Sequence, residues 1–212
     1  MARGSSDNSF WTQEFPKWAG AAAMVGGALG VLAAFLHSLE PTGCIGLECE
    51  TRPMRSGTGF VGLAGSVASL LVLIGVGGLT MLARRSGGFT RLANAGLICA
   101  AAGFIWLFAG VLIQALAFGG DFPWMPYFVI PGMLAVIAGL LLMGIFILRS
   151  GVLPRWLGIL FIVSTVALVA ANEQTAAVLL AVPFALAMVA AGYFMWSGGT
   201  SYAAQPARGV NP

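Results

Sequence analysis

Arg149-Ser-Gly-Val-Leu-Pro-Arg-Trp-Leu-Gly158 is a short cationic turn set between two long apolar runs, and it has an echo earlier in the chain. Arg85-Ser-Gly-Gly-Phe-Thr-Arg91 matches its first seven residues at both arginines, the serine and the first glycine. A weaker third copy, Pro16-Lys17-Trp18-Ala19-Gly20, repeats the proline, cation, tryptophan and glycine of Pro154-Arg155-Trp156-Leu157-Gly158. Bilayer chemistry alone favours these residue types: proline suits a first helical turn, arginine snorkels to the headgroups and tryptophan prefers the interface. A common turn at the start of each odd-numbered helix is the alternative reading, and it predicts three copies of one helical hairpin.

Working outward from these turns, the flanking runs decide the fold class. A bilayer core about 30 Å thick needs roughly 20 apolar helical residues, because no backbone polar group can be left unpaired in hydrocarbon. Six stretches qualify: Trp18 to Leu39, Gly59 to Leu82, Leu92 to Phe118, Tyr127 to Leu148, Val152 to Ala171 and Thr175 to Met195. None carries Asp, Glu, Lys or Arg away from its ends. The expected fold is an all-α integral membrane bundle of six transmembrane helices. Residues 1–17 and 197–212 are read as polar tails, 18–196 as the transmembrane domain, and 40–58 as its outer loop.

Composition agrees. The chain is 59% hydrophobic and 8% charged, with mean hydropathy +0.94, against roughly 25% charged residues in soluble domains. The formal charge of +3 is a small excess and does not point to nucleic acid. Met1 to Trp18 shows no apolar stretch followed by a small-residue cleavage site, so a removable signal peptide is not expected. With the N-terminus inside, Arg3, Lys17, Arg84, Arg85, Arg91, Arg149, Arg155 and Arg208 fall in the cytoplasm, leaving Arg52 and Arg55 outside. Basic residues are retained on the cytoplasmic side, so a plasma-membrane protein with both termini cytoplasmic is expected.

Gly151-Val-Leu-Pro-Arg-Trp-Leu-Gly158, opening a late helix of a six-helix chain, resembles a recurrent element of uncharacterised bacterial membrane proteins classed as domains of unknown function. The resemblance covers this segment and the hydropathy profile. It implies a six-helix membrane fold and assigns no functional residue.

Candidate chemistry is sparse. Cys44 and Cys49 flank four residues of the outer loop, where an oxidising compartment would let them form a disulfide. Their spacing fits neither a zinc signature nor a two-residue redox dithiol. Cys99 reads as a packing residue inside helix 3. His37, the single histidine, is either a polar interfacial residue or a ligand for a pigment, haem or proton. Gln114, Pro131 and Pro183 are the other candidate ligand-site residues; the two prolines predict kinks beside which a lipid or quinone could sit. Ionisable residues inside a membrane mark proton and ion paths. Their scarcity here argues against ion-coupled transport, and no catalytic residues, metal or cofactor are assigned.

Small residues supply the main packing signal. Ala22, Gly26, Gly30 and Ala34 on helix 1, and Ala177, Ala181 and Ala185 on helix 6, recur every four residues, and such seams let helices meet backbone to backbone. Phe122, Trp124, Met125 and Tyr127 between helices 3 and 4 form an aromatic outer belt or a partner-docking surface. These features predict a non-enzymatic accessory subunit that packs against other membrane proteins, itself or a lipophilic ligand. A facilitator for a small or lipophilic solute is the alternative.

Overall fold

The structure, a computed structural model, describes residues 14–44, 55, 59–86, 89–118 and 124–197. It is all-α. In chain order the helices are α1 (Phe15–Ser38), α2 (Gly59–Ser86), α3 (Thr90–Ala117), α4 (Met125–Ser150), α5 (Arg155–Leu168), a 3-10 segment (Ala176–Ala181) and α6 (Val182–Trp196).

The cationic turn is built by local chemistry. Gly151 ends α4 in the left-handed region at φ 64°, where a residue without a Cβ pays no steric penalty. Pro154 caps α5, Val152 and Leu153 between them are buried, and Gly158 lets α5 lie directly against Leu148. The echoed turn meets the same need differently, since Phe89 at the start of α3 carries φ 54° itself. In the N-terminal copy Pro16 stands in the first turn of α1, and Trp18 packs edge-on to Trp196, much as Trp156 packs on Phe194.

Two of the expected spans come out differently. In place of Val152 to Ala171 there is a 14-residue helix, about 21 Å long at 1.5 Å per residue. After Leu168 the chain tightens into three-residue bonds, from Val169 N to Val166 O, Ala170 N to Ala167 O and Ala171 N to Leu168 O. Five stretches are therefore long and apolar enough to cross a membrane: α1, α2, α3, α4 and the continuous Ala176–Trp196. That last stretch is not one α-helix either. Thr175 Oγ1 accepts from Ala177 N to open a 3-10 turn, and Pro183 falls in the first turn of α6. Its missing N–H costs nothing there, so the expected kink at Pro183 is a helix start.

Pro131 does lie inside a helix, and α4 runs through it without a break. Proline removes the donor that would serve the carbonyl four residues earlier, which belongs to Tyr127. The indole Nε1 of Trp106 on α3 donates to that oxygen at 3.3 Å, and its ring stacks on Phe128 with centroids 5.2 Å apart. A neighbouring helix thus supplies the hydrogen bond that Pro131 withdraws, as membrane-embedded prolines require.

The helices form a ring. α1 packs closely on α2 and α6, α4 packs closely on α3 and α5, and slighter contacts of α2 with α3 and α5 with α6 close the circle. The α1–α2 and α3–α4 hairpins are tight, whereas α5 and α6 touch lightly. At the α1–α6 contact a Cβ on Gly20 would lie 2.7 Å from Gly192 O, and one on Gly27 would lie 2.5 Å from Ala185 O. Only glycine permits that approach.

The buried core is lopsided. Val76, Leu79, Met143, Ile147, Leu157, Phe161 and Met188 are fully buried, and all lie in the halves of their helices nearer Arg84, Arg149 and Arg155. At the other end α2 and α3 stand apart, with Leu63, Leu70, Ile105 and Phe108 exposed.

Candidate ligand cavity at the loop end

At the end opposite the arginine turns, the segment after α1 is tied to the turn between α5 and the 3-10 segment. Gly43 N donates to Gln174 O at 2.9 Å, and Gln174 Oε1 accepts from Arg55 N at 2.7 Å. The Arg55 guanidinium spans three carbonyls: Nε donates to Pro41 O at 2.8 Å, Nη1 to Glu173 O at 3.0 Å, and Nη2 to Glu40 O. These oxygens belong to the C-terminal ends of helical segments, where the backbone dipole carries partial negative charge, so a cation is at home among them. Gly43 is held so closely that a Cβ there would lie 2.6 Å from Arg55 N.

Beneath this clasp lies a cavity of about 630 Å³, within the range of roughly 300–1,000 Å³ typical of small-molecule sites. It exists because its walls are short of side chains. α1 contributes Gly26, Gly30, Ala33 and Ala34, and α2 contributes Gly62, Gly65, Ser66 and Ser69. Phe104, Val178, Phe184 and Ala185 complete the apolar lining. A Cβ on Gly62 or Gly65 would meet nothing within 4 Å, so these glycines are not spent on helix contact and their absent side chains are the space itself. Toward the arginine-rich end the cavity stops at Gly26 and Val72, below which Ala23, Val76 and Leu79 are fully buried.

Polar groups gather at the mouth. His37, 8% exposed, lines the cavity together with Arg55 and Glu173. His37 Nδ1 and Glu40 Oε2, both buried, face each other at 3.0 Å one helical turn apart. The serine hydroxyls are turned on their own helix, Ser66 Oγ donating to Gly62 O and Ser69 Oγ to Gly65 O, each at 2.9 Å.

The sequence-predicted residues are distributed as follows. His37, Gly26, Gly30, Ala34, Ala181 and Ala185 converge on the cavity. Gly26 also sets α1 against α2, a Cβ there lying 2.7 Å from Leu71 Cβ, whereas Gly30 has room, its nearest neighbour being Ala185 Cβ at 3.4 Å. Ala177 and Ala181 are half-buried in the 3-10 segment, so the four-residue seam with Ala185 does not stack as on a continuous α-helix. Pro131 and Tyr127 line a separate depression with Pro126 and Ile130. Gln114 and Pro183 line neither. Trp124 and Tyr127 are exposed and adjacent, with centroids 5.8 Å apart, and Met125 is half-buried. Phe122 and Cys49 lie outside the described residues; Cys44 is buried beside the clasp, and Cys99 is a half-buried free thiol. Arg55, Gln174 and the Gly62, Gly65, Ser66, Ser69 wall were not singled out by sequence. The three-residue spacing of Gly59, Gly62 and Gly65 was the available signal.

Comparison with known protein families, with curated proteins and with solved structures finds no match to this chain.

Proposed function

We propose that this multi-pass membrane protein is a non-enzymatic accessory subunit whose task is to hold a lipophilic ligand in the cavity between α1, α2 and the 3-10 segment. The single observation that carries this reading is a cavity of about 630 Å³ whose wall glycines serve no helix contact. Its polar groups stand at the mouth and its inner end is closed by fully buried apolar residues. A facilitator would need a path through that core. Native mass spectrometry after extraction in mild detergent tests the proposal. An apolar molecule should be retained by the parent protein and lost from Gly65→Leu, which fills the cavity without touching a neighbour. A parent protein free of ligand, or saturable solute flux in proteoliposomes, would overturn it.

The same reading puts the clasp outside the cell and both termini in the cytoplasm, supported by the arginine-rich turns at the opposite end. Reporter fusions at Glu48 and Arg208 check this, and a translocated C-terminus would refute it. It also pairs Cys44 with Cys49, reinforcing the segment that Arg55 holds. Alkylation without reductant should then label Cys99 alone, and three labelled thiols would exclude the bridge.

A further inference from the structure

We infer that the cavity selects a neutral amphiphile whose head donates a hydrogen bond, that is, an apolar chain ending in a hydroxyl. The inference rests on the ligand-holding reading above and names the chemistry of the occupant.

Hydrogen-bonding capacity at the wall is one-sided. Ser66 and Ser69 each have a single hydroxyl proton, and both protons are directed to backbone carbonyls, which leaves only oxygen lone pairs for a ligand. The Arg55 guanidinium is bound by three carbonyls through all three of its nitrogens. His37 Nδ1 faces the Glu40 carboxylate, and a carboxylate partner fixes the proton on that nitrogen, so the neutral ring offers Nε2 as an acceptor. A ligand that only accepts hydrogen bonds finds the donors engaged; a ligand that donates finds three acceptors.

Charge narrows the choice further. Among the described residues the mouth carries the carboxylates of Glu40 and Glu173 and the cation of Arg55. The carboxylates oppose a fatty-acid or phosphate head, and the guanidinium opposes an ammonium. Below the mouth, Val72, Phe104 and Phe184 offer only apolar surface, which suits a hydrocarbon chain.

The test is a competition among dodecanol, its methyl ether and dodecanoate, at equal concentration, for the full-length protein released from detergent in native mass spectrometry. Dodecanol should be retained about tenfold over the ether, the ratio that one net hydrogen bond supports. The ratio should fall toward one in His37→Phe, and also in Glu40→Gln, which keeps the side-chain size but removes the charge that orients the imidazole. Equal retention of alcohol and ether by the parent protein, both lost in Gly65→Leu, would overturn the hydroxyl assignment while leaving the cavity as a binding site. Preference for dodecanoate would overturn it as well. Retention of none of the three, or retention unchanged by Gly65→Leu, would remove the ligand-holding reading itself.

Discussion

Gly192→Leu will drive α1 and α6 apart and lower the melting temperature in detergent by roughly 10 °C. A Cβ on Gly192 would lie 2.8 Å from both Met24 N and Met24 Cγ, so the obstruction includes backbone, which cannot swing aside as a side-chain tip can. Overpacking of a tight contact costs about 1–3 kcal/mol, and a backbone obstruction belongs at the upper end. For a chain of this size each kcal/mol amounts to roughly 2–4 °C. Gly65→Leu is the matched control, because its new side chain enters open space. It should melt within a few degrees of the parent protein. Equal melting of the parent protein and Gly192→Leu would mean that α1 and α6 do not meet as described.

Arg55→Met will release the 172–181 segment without unfolding the bundle. One guanidinium joins the carbonyls of Glu40 and Pro41 after α1 to that of Glu173 after α5, and nothing else among the described side chains spans them. Hydrogen bonds from a charged donor contribute about 1.5–3 kcal/mol each when buried. Two of these are exposed to solvent, so the set is taken as about 2 kcal/mol in all. Amide exchange in residues 172–181 should then accelerate about 30-fold, with the fully buried positions of α2 and α4 unaffected. Arg55→Lys should fall between, because a single ammonium cannot reproduce a planar fork across three acceptors. Unchanged exchange in Arg55→Met would show that Gly43 and Gln174 hold the segment alone.

How far the sequence could be read follows from which forces are local. Hydropathy over six stretches required a helical membrane bundle, since hydrocarbon tolerates no unpaired backbone, and Gly151 with Pro154 marked a helix boundary that the structure contains. The shortness of α5 was not legible. Ala170 and Ala171 continue its apolar run, and only the Asn172 turn, tied to Gly43 and Arg55 across the fold, shows where the helix gives out. The cavity was half legible. His37 and the α1 seam were visible, but a glycine that packs and a glycine that leaves space are the same letter, and Gly26 and Gly65 differ only in what stands opposite. Arg55 read as a loop charge because its partners are backbone carbonyls, which carry no signature in sequence.

Beside α5 the bilayer has little protein to match. The helix is about 21 Å long against a hydrocarbon core of about 30 Å, and Ile159, Val163 and Val166 turn an apolar stripe outward along it. Lipid on that flank must thin or the helix must be shielded, each at a cost of a fraction of a kcal/mol per Å of mismatch, whereas α2 and α4 on neighbouring sectors are long enough for a thick membrane. The perimeter is therefore uneven in height. Such a dent draws shorter-chain lipids to one side of the molecule and favours burial of that side against a second helix, giving an otherwise uniformly apolar ring a preferred direction in the plane of the membrane.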